Sequence, residues 1–381
     1  MPDLRQRLAA LDPRLLDRRL PAGAVAAVLV VLVAVLAVVC GGDGPTAIPT
    51  PTATPTPTNT PTPTPKPTPP PTEPTLLDGV LVYKKDLERL NNRLPLAVII
   101  DNHVEARPPE GLARAELVYE AIAEGGITRF MAVYWRQDIE RIAPVRSARV
   151  YYLDWAKELD AVFIHHGRAT SAGPADVTSA IARLGIRNLD GFYLGGAVDL
   201  RDPNRPAPHD AWTSTELLWS TAEQFGFVGP PAIEPWLFKD DEPKRFDDPS
   251  FRQAKTVDIS FGGSGEYSVQ WKWDRKSNTY LRSQGGRAHG DADGRRIGAH
   301  NVVVQFVTMR SAGDGTAHLL FDTIGSGSSV VFRDGVAAEG TWRKDSAGSR
   351  TRFYNAEGKE IAFNRGNTWV EIVPAGYQVG Y

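Results

Sequence analysis

The sequence predicts an α+β protein: an N-terminal α/β domain over residues 76–235, with a mixed sheet and flanking helices, then a C-terminal all-β domain of barrel or sandwich type over residues 236–381. Three observations carry this reading. In the first region, buried-strand runs such as "LPLAVIIDN" and "DAVFIHHG" alternate with segments of helical spacing. In the second, short alternating strands such as "KTVDISF", "EYSVQWKWD", "NTYLRS" and "NVVVQFVTM" are separated by Gly, Asp and Asn turns. Ahead of both lie an apolar run and a Pro/Thr repeat that cannot contribute to a core.

The leader is read first. Residues 1–20 are basic, with Arg5, Arg7, Arg14, Arg18 and Arg19, and precede the apolar stretch 21–40, "PAGAVAAVLVVLVAVLAVVC". At 1.5 Å per residue, about 20 helical residues match the hydrocarbon thickness of a bilayer. The charge asymmetry orients the N-terminus to the cytoplasm and the remainder outside. Two readings stay open: an uncleaved single-pass anchor, or a lipoprotein signal cleaved to leave Cys40 lipidated. Val39 stands where the lipoprotein signal usually has a small residue, and the run is longer than an ordinary signal core. Both put the protein at the cytoplasmic membrane with its folded domains extracytoplasmic. Residues 41–75, largely alternating Pro and Thr, are expected to form a disordered, extended stalk at about 3.1 Å per residue.

Composition narrows the function classes. Lys and Arg number 43 against 45 Asp and Glu, a net charge of -2, so no basic field points to nucleic acid. With Cys40 the only cysteine, no intrachain disulfide or Cys-built metal site can form. No G-x-S-x-G, H-E-x-x-H, P-loop or dinucleotide fingerprint is present, and neither cofactor nor metal is expected. Asp291, Asp293 and Gly294 imitate the start of a calcium loop, but its later ligands and final Glu are missing, so the segment is read as a hairpin loop. Trp271, Trp273 and Tyr280 are compatible with a carbohydrate platform or, more ordinarily, a core.

Within the α/β region, "AVIID" ends at Asp101, Asn102 and His103, a strand end where sites are common. Gly125-Gly126 between alternating segments predicts a two-residue hairpin. In uninterrupted register Glu120 faces Met131, Ile122 faces Arg129 and Glu124 faces Ile127, so Glu120 and Glu124 flank Arg129 on one face. Ser147 is the expected N-cap of a helix through "ARVYYLDWAKEL", which puts Arg146 and Arg149 at the positive end of a helix dipole. An anion should compensate: either Glu120 and Glu124, or an external ligand held by arginine forks. His165 and His166 close the next strand on opposite faces, so only one can join such a site. Further helices are expected from Pro174 to Gly185 and from a Thr213/Glu216 capping box to Gly226, and His209 and Asp210 lie on a polar loop able to reach back.

The segments "AVIIDNHVEARPPEGLARAELVYEAIAEGGITRFMAVY", "IAPVRSARVYYLDWA", "APHDAWTSTELL", "WKWDRKSNTYLRSQGGRAHGDADGRRIGAHNVVVQF" and "GKEIAFNRGNTWVEIVP" resemble the YerB family of bacterial envelope lipoproteins. The resemblance spans nearly all of the chain after the stalk. It implies an N-terminal α/β domain and a C-terminal β-rich domain of unknown function in an extracytoplasmic protein, and it assigns no catalytic residue. The residues and the resemblance together favour a noncatalytic binding or scaffolding protein for an anionic cell-wall component or an envelope protein of wall synthesis. The alternative is a wall-polymer hydrolase or transferase using Glu120, Glu124, the arginines and a histidine.

Overall fold

The structure, a computed structural model, describes residues 72–170 and 173–381. The expected membrane segment, Cys40 and most of the expected stalk lie outside those residues. Among the described residues no helix is long and apolar enough to cross a membrane. The last part of the expected stalk belongs to the folded body: Thr72–Pro74 pairs antiparallel with Leu81–Tyr83, and the next residue, Thr75, is buried.

Strands β1 (Leu96–Asp101), β2 (Leu117–Glu124) and β3 (Ile127–Tyr134) are followed by helix α1 (Tyr152–Glu158), β4 (Val162–His165), α2 (Val177–Leu184), β5 (Arg187–Asp190) and α3 (Thr215–Gln224). Then come β6 (Thr256–Ile259), β7 (Val269–Asp274), β8 (Thr279–Gln284), β9 (Asn301–Val307), β10 (Gly325–Arg333), β11 (Val336–Lys344) and β12 (Thr368–Pro374). The 11-stranded main sheet runs β11-β10-β9-β12-β2-β3-β1-β4-β5, with short strands at its β11 edge. Parallel pairing joins β9 to β12, β12 to β2, β1 to β4 and β4 to β5. Strands from both halves of the sequence thus share one sheet. All six residues of β1 are buried, which explains its continuous apolar run.

Of the expected barrel or sandwich, the barrel does not form. Both larger sheets are open: β9 to β12 extend the main sheet, while β6, β7 and β8 form the middle of a separate 6-stranded one. That smaller sheet packs on the main sheet through Trp271 and Trp369, whose rings meet edge to face at 5.3 Å. Trp271, Trp273 and Tyr280 are core residues.

Two helix starts differ from expectation. α1 begins at Tyr152, behind Tyr151, and Ser147 caps nothing. The chain before it is held extended by tertiary pairing, with Ala148 bridged to Arg168. In α3 the cap is Ser214, whose side chain accepts from Leu217 N. α2 starts at Val177, after the Asp176 cap, and ends at a left-handed Gly185.

Candidate functional site

The hairpin β2-β3 turns at Gly125 and Gly126, both with positive φ, as a tight reversal requires. Its register shifts between Ile122 and Glu124, so Ala121 opposes Arg129 and Glu120 opposes Phe130. This bulge places Glu120 and Glu124 on opposite faces of the sheet, contrary to the uninterrupted register. The Ile122 carbonyl accepts from the Tyr151 hydroxyl at 2.7 Å.

On the face of Glu124, Arg129 donates to its Oε1 at 2.8 Å and Arg149 donates to its Oε2. Burial works against the Glu124 charge, but Arg129, Arg149 and Arg146 hold its carboxyl below the ordinary range. Arg129 also donates to the Ser147 carbonyl at 3.2 Å, so Ser147 contributes backbone. Arg146 pairs differently. Its Nε lies 3.1 Å from Asp101 Oδ2 as a charge contact, and its terminal amines have no hydrogen-bond partner among the described residues. The helix-dipole basis for an anion site is absent, because these arginines precede α1.

Asp101, at the carboxyl end of β1, also accepts from His209 Nδ1 at 2.7 Å and from His103 N at 3.1 Å. The loop carrying His209 therefore reaches back, as its position suggested. His103 stacks on His209 at 5.0 Å between centroids. The carboxyl ends of β4 and β5 continue the polar row. His166, not His165, joins it: Nδ1 donates to Asp199 Oδ2 at 2.8 Å and Nε2 accepts from Arg201 at 2.7 Å. Arg168 pairs with Asp190 and lies 4.5 Å from the Tyr193 ring centroid. Gly191 has no Cβ because one would overlap the Asp199 carboxylate. Phe192 and Tyr193 are 64% and 65% exposed.

His165 is fully buried, held at 2.7 Å by the Gly167 carbonyl and the Asn188 amide. Burial lowers its pKa, and its role is structural. Asn102 and Glu120 belong to the other face of the sheet. There Asn102 donates to Thr128 and Thr128 to Glu120, each at 2.7 Å, while Arg282 donates to Glu120 at 2.6 Å. Burial and the neighbouring Glu120 push the Glu371 carboxyl well above its ordinary value. Burial and Arg282 keep His289 neutral. Of the expected site residues, Asp101, His103, Glu124, Arg129, Arg146, Ser147, Arg149 and His209 converge, whereas Asn102, Glu120 and His165 do not. Glu120 and Glu124 cannot act on one bond from opposite faces. Sequence reasoning missed Glu105, Arg168, Asp199 and Arg201, and favoured His165 over His166; the signal available was the tendency of α/β ligands to sit at the carboxyl ends of parallel strands.

An open mixed sheet completed by its own C-terminal strands, with a paired-charge row at the strand ends, defines the class. Residues 83–228 match the N-terminal domain, and residues 257–370 the C-terminal domain, of the family described as "Protein of unknown function (DUF3048)". The chain is 29% identical over 293 residues to the Bacillus subtilis protein named "Putative lipoprotein YerB", covering 76% of this chain and 84% of that one. It superposes on the crystal structure of YerB from Bacillus subtilis with a TM-score of 0.69 at 27% identity, covering 81% of this chain and 99% of that one. The chain belongs to the YerB-like family.

Proposed function

We propose that the chain is a membrane-tethered extracytoplasmic binding protein that holds an anionic cell-wall polymer along the carboxyl ends of β1, β4 and β5. The observation that carries this reading is Arg146: Asp101 fixes its Nε while both terminal amines remain free to form a fork on a phosphate or carboxylate. The surface continues from there. The Arg146 carbonyl accepts from His166 N at 3.1 Å, and the His166 ring meets exposed Phe192 edge-on at 6.0 Å. An aromatic pair beside arginines suits the apolar face and the charge of an acidic glycan. The lipoprotein name of the Bacillus subtilis relative and the apolar segment 21–40 support attachment to the membrane. A protein partner of wall synthesis would use the same surface.

Binding of purified wall teichoic acid and of uncharged glycan fragments to wild type and Arg146→Gln tests the reading. Wild type should prefer the charged polymer, with affinity falling as salt rises, and Arg146→Gln should lose about tenfold or more. Equal affinity in the variant, or no preference for charge, overturns it.

A further inference from the structure

Three side chains beside Asp101 bring ligand-type nitrogen and oxygen atoms close together. His209 donates through Nδ1 to Asp101, and its Nε2 lies 3.6 Å from Glu105 Oε2. His103 Nδ1 accepts from Glu105 N at 3.3 Å and lies 3.8 Å from Glu105 Oε2. One ligand atom from each of His103, Glu105 and His209 lies within 4.8 Å of the others. At metal-ligand bonds of about 2.0–2.2 Å, tetrahedral ligands stand about 3.4 Å apart, close to the two separations to Glu105.

We propose that His103, Glu105 and His209 bind a divalent first-row ion of the zinc type, with Asp101 as the outer partner that orients His209. A carboxylate accepting the far N–H of a ligating imidazole is the usual companion of such an ion, fixing its tautomer and raising its basicity. Two imidazoles and a carboxylate are a borderline-soft donor set that leaves one tetrahedral position open. Glu105 is 67% exposed, so that position faces solvent. The His103 ring, one third exposed, turns out of its stack on His209 to aim its lone pair at the ion. Asp101 Oδ2, which contacts both Arg146 and His209, screens the Arg146 charge from the site. The spacing of residues 103, 105 and 209 matches no linear metal motif. The site is independent of the polymer reading.

The test is calorimetric titration of Zn²⁺ alone into the full chain, purified in detergent without an affinity tag and stripped with a chelator. One equivalent should bind with micromolar or tighter affinity. His103→Gln and His209→Gln should each weaken it at least thirtyfold, and Asp101→Asn about tenfold. His103→Gln alters a partly exposed side chain and keeps the test valid if His209→Gln misfolds. Absence of saturable binding, or full-affinity binding by His103→Gln or by the variant carrying both His103→Gln and His209→Gln, overturns the proposal.

Discussion

Asp101 Oδ2 accepts from His209 Nδ1 at 2.7 Å across 108 residues of sequence, and the same oxygen meets Arg146 Nε at 3.1 Å. One buried carboxylate therefore positions both the free arginine and the histidine of the strand-end cluster. Its charge also masks Arg146. Asp101→Asn should lower stability by about 2–4 kcal/mol, because a partly buried arginine loses its counter-charge, yet raise teichoic-acid affinity severalfold. Denaturant midpoints and polymer titrations together check this; a fall in both quantities contradicts it.

Glu124 is the carboxylate for two nearly buried arginines, Arg129 and Arg149, whose side chains are 4% and 8% exposed. Glu124→Gln should cost about 2–4 kcal/mol. Added phosphate should restore part of that loss by supplying the missing negative charge. The melting temperature of the variant should rise with phosphate more steeply than that of wild type, and parallel responses would count against the pairing.

Glu120 and Glu371 are neighbours in parallel register with opposite expected tolerance. Burial and Glu120 push the Glu371 carboxyl up, which favours its neutral form, so Glu371→Gln should change stability by less than about 1 kcal/mol. Glu120→Gln removes the carboxylate facing the fully buried Arg282 and should cost about 3–5 kcal/mol. Comparable urea midpoints for the two variants would refute the assignment of the proton.

The hairpin was legible because Gly125-Gly126 is a strong turn signal between alternating segments, and β1 because six buried residues leave a continuous apolar run. The bulge was not. Ala123 carries no turn chemistry, and the one-residue shift there moves Glu120 to the other face. Helical spacing after Ser147 was real, but the bridge between Ala148 and Arg168 keeps the first residues extended, so tertiary pairing overrides local preference. Alternation limited the site to one of His165 and His166 without saying which. The contact between His209 and Asp101 spans too much chain for any local pattern to show it.

Acid should destabilise the protein through Glu158. Burial disfavours its charge, but Lys344 and Arg350 hold its pKa at about 2, against an ordinary 4.5. The unfolded chain therefore takes up this proton first as pH falls. The stabilisation is complete above 4.5 and lost towards 2, amounting to about 3 kcal/mol. Urea midpoints should fall across that window in wild type, with the Glu158 part of the slope absent in Glu158→Gln.

Asp291 has the opposite sign. Burial, with help from Asp293, raises its pKa to about 6 from 3.8, and its Oδ1 is buried without a partner. The folded state keeps the proton longer, so stability from this group falls as pH rises from 3.8 to 6. Asp291→Asn, which retains an acceptor for Ala113 N, should stabilise the protein by about 1–2 kcal/mol at neutral pH. A destabilised variant at pH 7 would show that the ionised form is favoured.

The parallel strand β12, seated between β9 and β2, sets an order of events during synthesis. β2 appears early, but its sheet neighbour opposite Glu120 carries Glu371, so the hairpin presents an unpaired edge while the intervening chain is made. Such distant pairing slows folding and prolongs exposure of sticky edges. A polypeptide stopped before residue 368 would carry open edges at both β2 and β9, making completion of this one strand the step that separates a sealed sheet from an aggregation-prone fragment.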